Sequence, residues 1–214
     1  MTRTRWTGLA GVLFGLVFFS ISLFGPSTPD TSDGPAKYAA YWSSDSHQTK
    51  ARVGILLVSY AAVLLVVFSA GLRDRLRAVD AGPLPSYCLA AGTAAAALMV
   101  AGAASSFCSG LAAADNSGLK VDGTLALVLD DAGYALVATG LMLAGSLAVA
   151  VGIVTLRTNV LPRWTAWLGF LLGLAVVGSL LTAWTGFVGL PLWSVVVGIT
   201  MLVPTAAVEP VTAA

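Results

Sequence analysis

Residues 53–72, VGILLVSYAAVLLVVFSAGL, run for twenty residues without a charge. As a helix, that stretch is about 30 Å long, the thickness of the hydrocarbon core of a bilayer. Comparable apolar stretches recur at roughly 6–24, 51–72, 84–112, 126–156, 163–185 and 188–204. Only 10% of the chain is charged and 57% is hydrophobic, with a mean hydropathy of +0.89. Soluble domains carry about 25% charged residues, so the solvent for this surface has to be lipid. The pattern predicts one all-α domain over residues 1–214, a transmembrane bundle of six spans. The sixth is short, because Pro191 falls in its first turns and Pro204 ends it, and a re-entrant segment is its rival. The first apolar run, behind MTRTR, covers about nineteen residues. A signal peptide uses about 7–15, so the run is read as a retained span.

Arginine and lysine set the orientation. With the N-terminus inside, Arg3, Arg5, Arg73, Arg75, Arg77, Arg157 and Arg163 are cytoplasmic, and Lys37, Lys50, Arg52 and Lys120 lie outside. Seven against four places both termini in the cytoplasm. The outer side holds seven aspartates, with Asp74, Asp80 and Glu209 on the inner side.

Several chemistries are disfavoured at once. A net charge of +1 gives no bulk attraction for nucleic acid. Cys88 and Cys108, on one apolar run, stand roughly 30 Å apart and cannot bond to each other. One histidine, His47, without CxxC, HExxH, GxSxG or P-loop spacing nominates no metal, cofactor or catalytic residue. His47 lies in the SSDSHQ loop and reads as a solvated residue. Thr93, Thr139, Ser59, Ser146 and Ser179 are among the few polar groups at mid-span, and such hydroxyls commonly bond back to their own helix.

Lipid gives no hydrophobic drive between helices, so packing depends on close backbone approach. Gly11 and Gly15 make GxxxG in the first span, and Gly169 and Gly173 make it in the fifth. These faces serve packing within the chain first; a homo-oligomer or a protein partner is the alternative use. The third span, LAAGTAAAALMVAGAASSF, is so slim that the middle of the bundle is its expected place.

Asp130 and Asp131 are the unusual feature, an acidic pair at the head of the fourth span. Asp131 lies twenty-five residues beyond Leu156, or roughly 37 Å along a helix. That clears a core of about 30 Å, so the pair belongs at the outer headgroup level. A plain structural role follows, with Arg52 as an available partner for one carboxylate. The working alternative is an outward-facing vestibule lined by Asp130, Asp131, Tyr134, Arg52, His47, Ser105, Ser106 and Ser109, with Thr182 and Thr185 nearby. Such a vestibule suits a cation, a small polar ligand or a proton relay. The outer loop, about 25–50, starts irregularly with GPSTPDTSDGP. Then Tyr38, Tyr41 and Trp42 share one helical face, which is expected at the lipid headgroups.

Residues 38–80, with their aromatic lead and LRDRLR exit, and 157–174, RTNVLPRWTAWLGFLLGL, carry a resemblance. Together they resemble small six-pass integral membrane proteins of actinobacteria, a domain of unknown function. The resemblance implies the same topology and a bacterial plasma membrane. It implies no chemistry, because the shared motifs mark span boundaries. The reading that follows is a non-enzymatic interaction or membrane-organising protein. A transporter or channel-like protein using the outer cluster comes next, and a membrane-embedded enzyme after it.

Overall fold

The computed structural model describes residues 3–79, 81–116, 118–178 and 184–203. Among them are seven α-helices: α1 (Arg3–Phe24), α2 (Pro35–Trp42), α3 (Asp45–Arg77), α4 (Leu84–Asp115), α5 (Gly123–Thr158), α6 (Arg163–Gly178) and α7 (Trp184–Leu202). A 3-10 turn, Thr31–Asp33, precedes α2. Of these helices α1, α3, α4 and α5 are long and apolar enough to cross a membrane. The apolar parts of α6 and α7, Arg163–Val176 and Gly186–Leu202, are shorter.

Side-chain size is arranged for lipid. Along α3 the buried positions include Ala51, Gly54, Val58, Ala61, Leu65, Phe68 and Leu72, an alternation of three and four that keeps one seam inward. Leu56, Tyr60, Val63 and Val67 face outward on the same helix. On α6, Trp164, Trp167, Leu171 and Leu174 are likewise exposed. A protein in water does not leave so many large apolar groups outside.

The helices pack in the cyclic order α1, α3, α4, α5, α6, α7, with α7 returning to α1 and also touching α5. Three of these contacts are glycine against glycine. A Cβ on Gly102 would stand 2.5 Å from the Gly133 carbonyl, and one on Gly133 the same from Gly102. Gly8 on α1 meets Gly198 on α7 in this way, and Gly173 on α6 meets Gly145 on α5. Gly11 abuts Phe68 and Ser194, Gly15 abuts Pro191 and Val195, and Gly169 abuts Ala148 and Trp193. Both GxxxG motifs are therefore occupied inside the chain.

Four expectations are corrected. Slim α4 is not central: it packs between α3 and α5 and touches α2, while α5 meets α2, α3, α4, α6 and α7. Its small residues serve close approach on two sides, Gly92 to Ser69 of α3 and Gly102 to α5. The second span starts as a helix at Asp45, which puts His47 on α3 rather than in a loop. Pro191 lies within α7 instead of in its first turn, since that helix begins at Trp184. Finally, the aromatic face of α2 does not lie among headgroups. Tyr38 and Trp42 are fully buried, packed with Ala51 and Ala126 from α3 and α5. The glycine at 110 makes room for the Trp42 ring on α4.

Candidate functional site

The site begins with the way α5 is started. Asp122 caps the helix, its carboxylate accepting from the Thr124 and Leu125 amides at 2.8 and 3.3 Å. Asp130 and Asp131 follow about two turns later, pointing about 100° apart. They separate accordingly: Asp130 is half-buried toward the bundle and Asp131 is exposed.

The Gly102–Gly133 approach then brings α4 hydroxyls onto α5. Ser105 Oγ donates to the Leu129 carbonyl at 2.8 Å, and Ser106 Oγ reaches the Asp130 carbonyl at 3.4 Å. From the other side, α2 presents Tyr38. Its single hydroxyl hydrogen is shared between the Pro29 carbonyl at 2.7 Å and Asp130 Oδ2 at 3.0 Å. The Thr28 and Ser106 hydroxyls stand beside the same carboxyl group. Burial first, and then the neighbouring Asp130 carboxylate, push the Tyr38 phenol above its ordinary pKa, so it stays a neutral donor.

Beneath these groups lies a cavity of about 480 Å³. Ser22, Ser27, Thr28, Ser106 and Asp130 supply its polar lining. Phe18, Val58, Met99, Ala103, Val137 and Phe187 supply its apolar walls, with Phe107 and Tyr134. Phe18 and Phe187 stack across α1 and α7, with ring centroids 5.7 Å apart. From Asp130 to Val137 the lining descends seven residues of α5, roughly 10 Å.

The vestibule suggested by the sequence is assembled only in part. Asp130, Tyr134 and Ser106 line one cavity, and Ser105 braces the helix pair behind it. Arg52 does not reach the acidic pair. It bonds Asp115 at 2.6 Å and the Ala114 carbonyl at 3.1 Å, because its nearest neighbour is the end of α4, not α5. His47 stacks on Tyr41 at 3.8 Å, with Nδ1 2.9 Å from the Tyr41 carbonyl oxygen, and is not part of the cavity lining. Ser109 and Asp131 are also absent from that lining. Thr182 and the side chain of Thr185 lie outside the described residues. At mid-span, Ser59, Thr139 and Ser146 bond back to carbonyls of their own helices. Among the described residues, no three His, Cys, Asp or Glu side chains gather as a metal site.

Thr28 and Tyr38 are the residues that sequence reasoning misses. Tyr38 carries the available signal: an aromatic face at i, i+3 and i+4 fits burial against a neighbouring helix as well as it fits a headgroup layer. Thr28 carries none, since it sits in a run of turn-forming residues. No family model, curated protein or solved structure matches the chain.

Proposed function

We propose that the chain is a six-span, non-enzymatic protein of a bacterial plasma membrane that holds a small amphipathic ligand in an outward-facing cavity. Both termini are cytoplasmic in this reading, which matches the small actinobacterial six-pass proteins that the chain resembles. Two features support the topology. The two shorter helices take places in the same ring as the four long ones. The arginines at 73, 75, 77, 157 and 163 fall at the end of the bundle opposite α2, the end that cytoplasmic loops favour.

The cavity that descends from Asp130 carries the functional reading. Its volume of about 480 Å³ lies within the range of roughly 300–1,000 Å³ typical of small-molecule sites. Hydroxyls and a carboxylate above an apolar floor suit a molecule with one polar and one greasy end. With all four GxxxG glycines engaged inside the chain, those motifs leave no small-residue face for a partner, and the balance moves from partner protein to ligand holder.

The test uses an uncharged amphipathic probe, 3-(4-fluorophenyl)propan-1-ol, followed by fluorine NMR with the protein in zwitterionic nanodiscs. A saturable bound resonance is expected. It should vanish in Val137→Trp, which fills the floor of the cavity. A wild-type spectrum identical to that of empty discs would refute the reading.

A further inference from the structure

We infer that the ligand is an organic monocation, an ammonium head on an apolar body, and that Asp130 is its counter-charge. The inference rests on the cavity being a ligand site, and it adds the sign of the charge. Three observations carry it.

Among the described residues, Asp130 is the one charged side chain in the cavity lining. The two ion pairs among the described residues, Lys37 with Asp33 and Arg52 with Asp115, use other groups. Its carboxyl is instead surrounded by the hydroxyls of Tyr38, Thr28 and Ser106. Hydroxyls stabilise a carboxylate without neutralising it, so the site keeps a preference for positive charge. Asp131 and Asp30, both within electrostatic reach of Tyr38, add to the same sign.

The walls are aromatic. Phe18, Phe107, Tyr134 and Phe187 line the same space. Ring faces attract ammonium groups, and most strongly where water is excluded. A carboxylate with several rings around it therefore favours an ammonium over a neutral head and disfavours an anion.

The number of acids selects against a metal. Asp131 turns outward, leaving one carboxylate at the cavity among neutral hydroxyls, so a divalent ion there would keep an uncompensated positive charge. A single charge above about 10 Å of apolar lining matches a monovalent amphiphile.

The experiment compares para-fluorobenzyltrimethylammonium with para-fluoroneopentylbenzene, its uncharged carbon isostere, by fluorine NMR titration in zwitterionic nanodiscs, with empty discs subtracted. The cation is expected to bind about tenfold more tightly than the isostere. Asp130→Asn should weaken the cation severalfold more than the isostere, leaving only the smaller preference that the rings supply, whereas Asp131→Asn should keep the wild-type ratio. Equal affinity of the two probes for the wild-type protein would overturn the charge assignment while leaving the cavity reading intact. A preference undiminished in Asp130→Asn would overturn the role given to Asp130. Absence of binding by either probe would overturn both readings together. The wild-type comparison decides without any variant, so poor folding of Asp130→Asn does not protect the inference.

Discussion

Tyr38 does two jobs with one hydroxyl, holding the Pro29 carbonyl and contacting Asp130. Tyr38→Phe removes that donor and should loosen α2 by about 1–2 kcal/mol. Hydrogen exchange at the amides of residues 36–42 measures it, with a roughly tenfold rise in rate for each 1.4 kcal/mol. The same residue sets a pH dependence. Burial and the nearby carboxylate raise its pKa in the folded chain, so its contribution is fully present below the ordinary tyrosine value of about 10 and is lost as pH rises above it. Protection of α2 should fall above that pH in the wild type, and the additional loss should be absent in Tyr38→Phe. A second residue points the other way. Thr155 is fully buried, and its hydroxyl has no hydrogen-bond partner among the described residues. Thr155→Val keeps the shape and deletes the unmet polar group, which should stabilise the protein by about 1 kcal/mol in thermal unfolding in nanodiscs.

At the scale of the helix, the contact between α4 and α5 depends on two missing side chains. Gly133→Val would drive its Cβ into Ser106 and the Gly102 backbone. The expected cost is about 1–3 kcal/mol, read as a lowered unfolding temperature together with loss of probe binding, since Ser106 and Asp130 ride on the two displaced helices. A silent Gly133→Val would show that this seam is not tight. The four long apolar helices, α1, α3, α4 and α5, are legible in the sequence, because about twenty apolar residues in a row have few alternatives. Their ends are less so: α3 begins at Asp45, because the polar residues of DSHQTK continue the helix ahead of its apolar stretch. Pairing between helices is hardest to read. Gly11 and Gly169 announce close approach without naming their neighbours, which turn out to be Phe68 and Ser194 for one and Ala148 for the other. Asp130 is visible at once as an acid at the head of an apolar run. Its companions Thr28 and Tyr38 arrive from about ninety residues or more away, and no local pattern records a contact of that range. Arg52 illustrates the converse error: charge complementarity suggested Asp130 or Asp131, but adjacency of α3 and α4 delivered Asp115.

For the molecule as a whole, the proposed orientation has a direct check. With Cys88 and Cys108 replaced by serine, a cysteine placed at Ser32 should react with a membrane-impermeant maleimide in intact cells. One at Asn159, in the turn between α5 and α6, should react only after lysis. The reverse result would invert the bundle and turn the cavity toward the cytoplasm. The arrangement of sizes has a broader effect on how this chain tolerates change. Leu171 and Leu174 project outward, and any greasy replacement should pass there unnoticed. Gly8 and Gly198 lie backbone to backbone, where one added methyl has nowhere to go. In a saturation library the usual hierarchy should therefore be turned over: bulky positions drift freely, and the tiniest ones are held fixed by the atoms they lack.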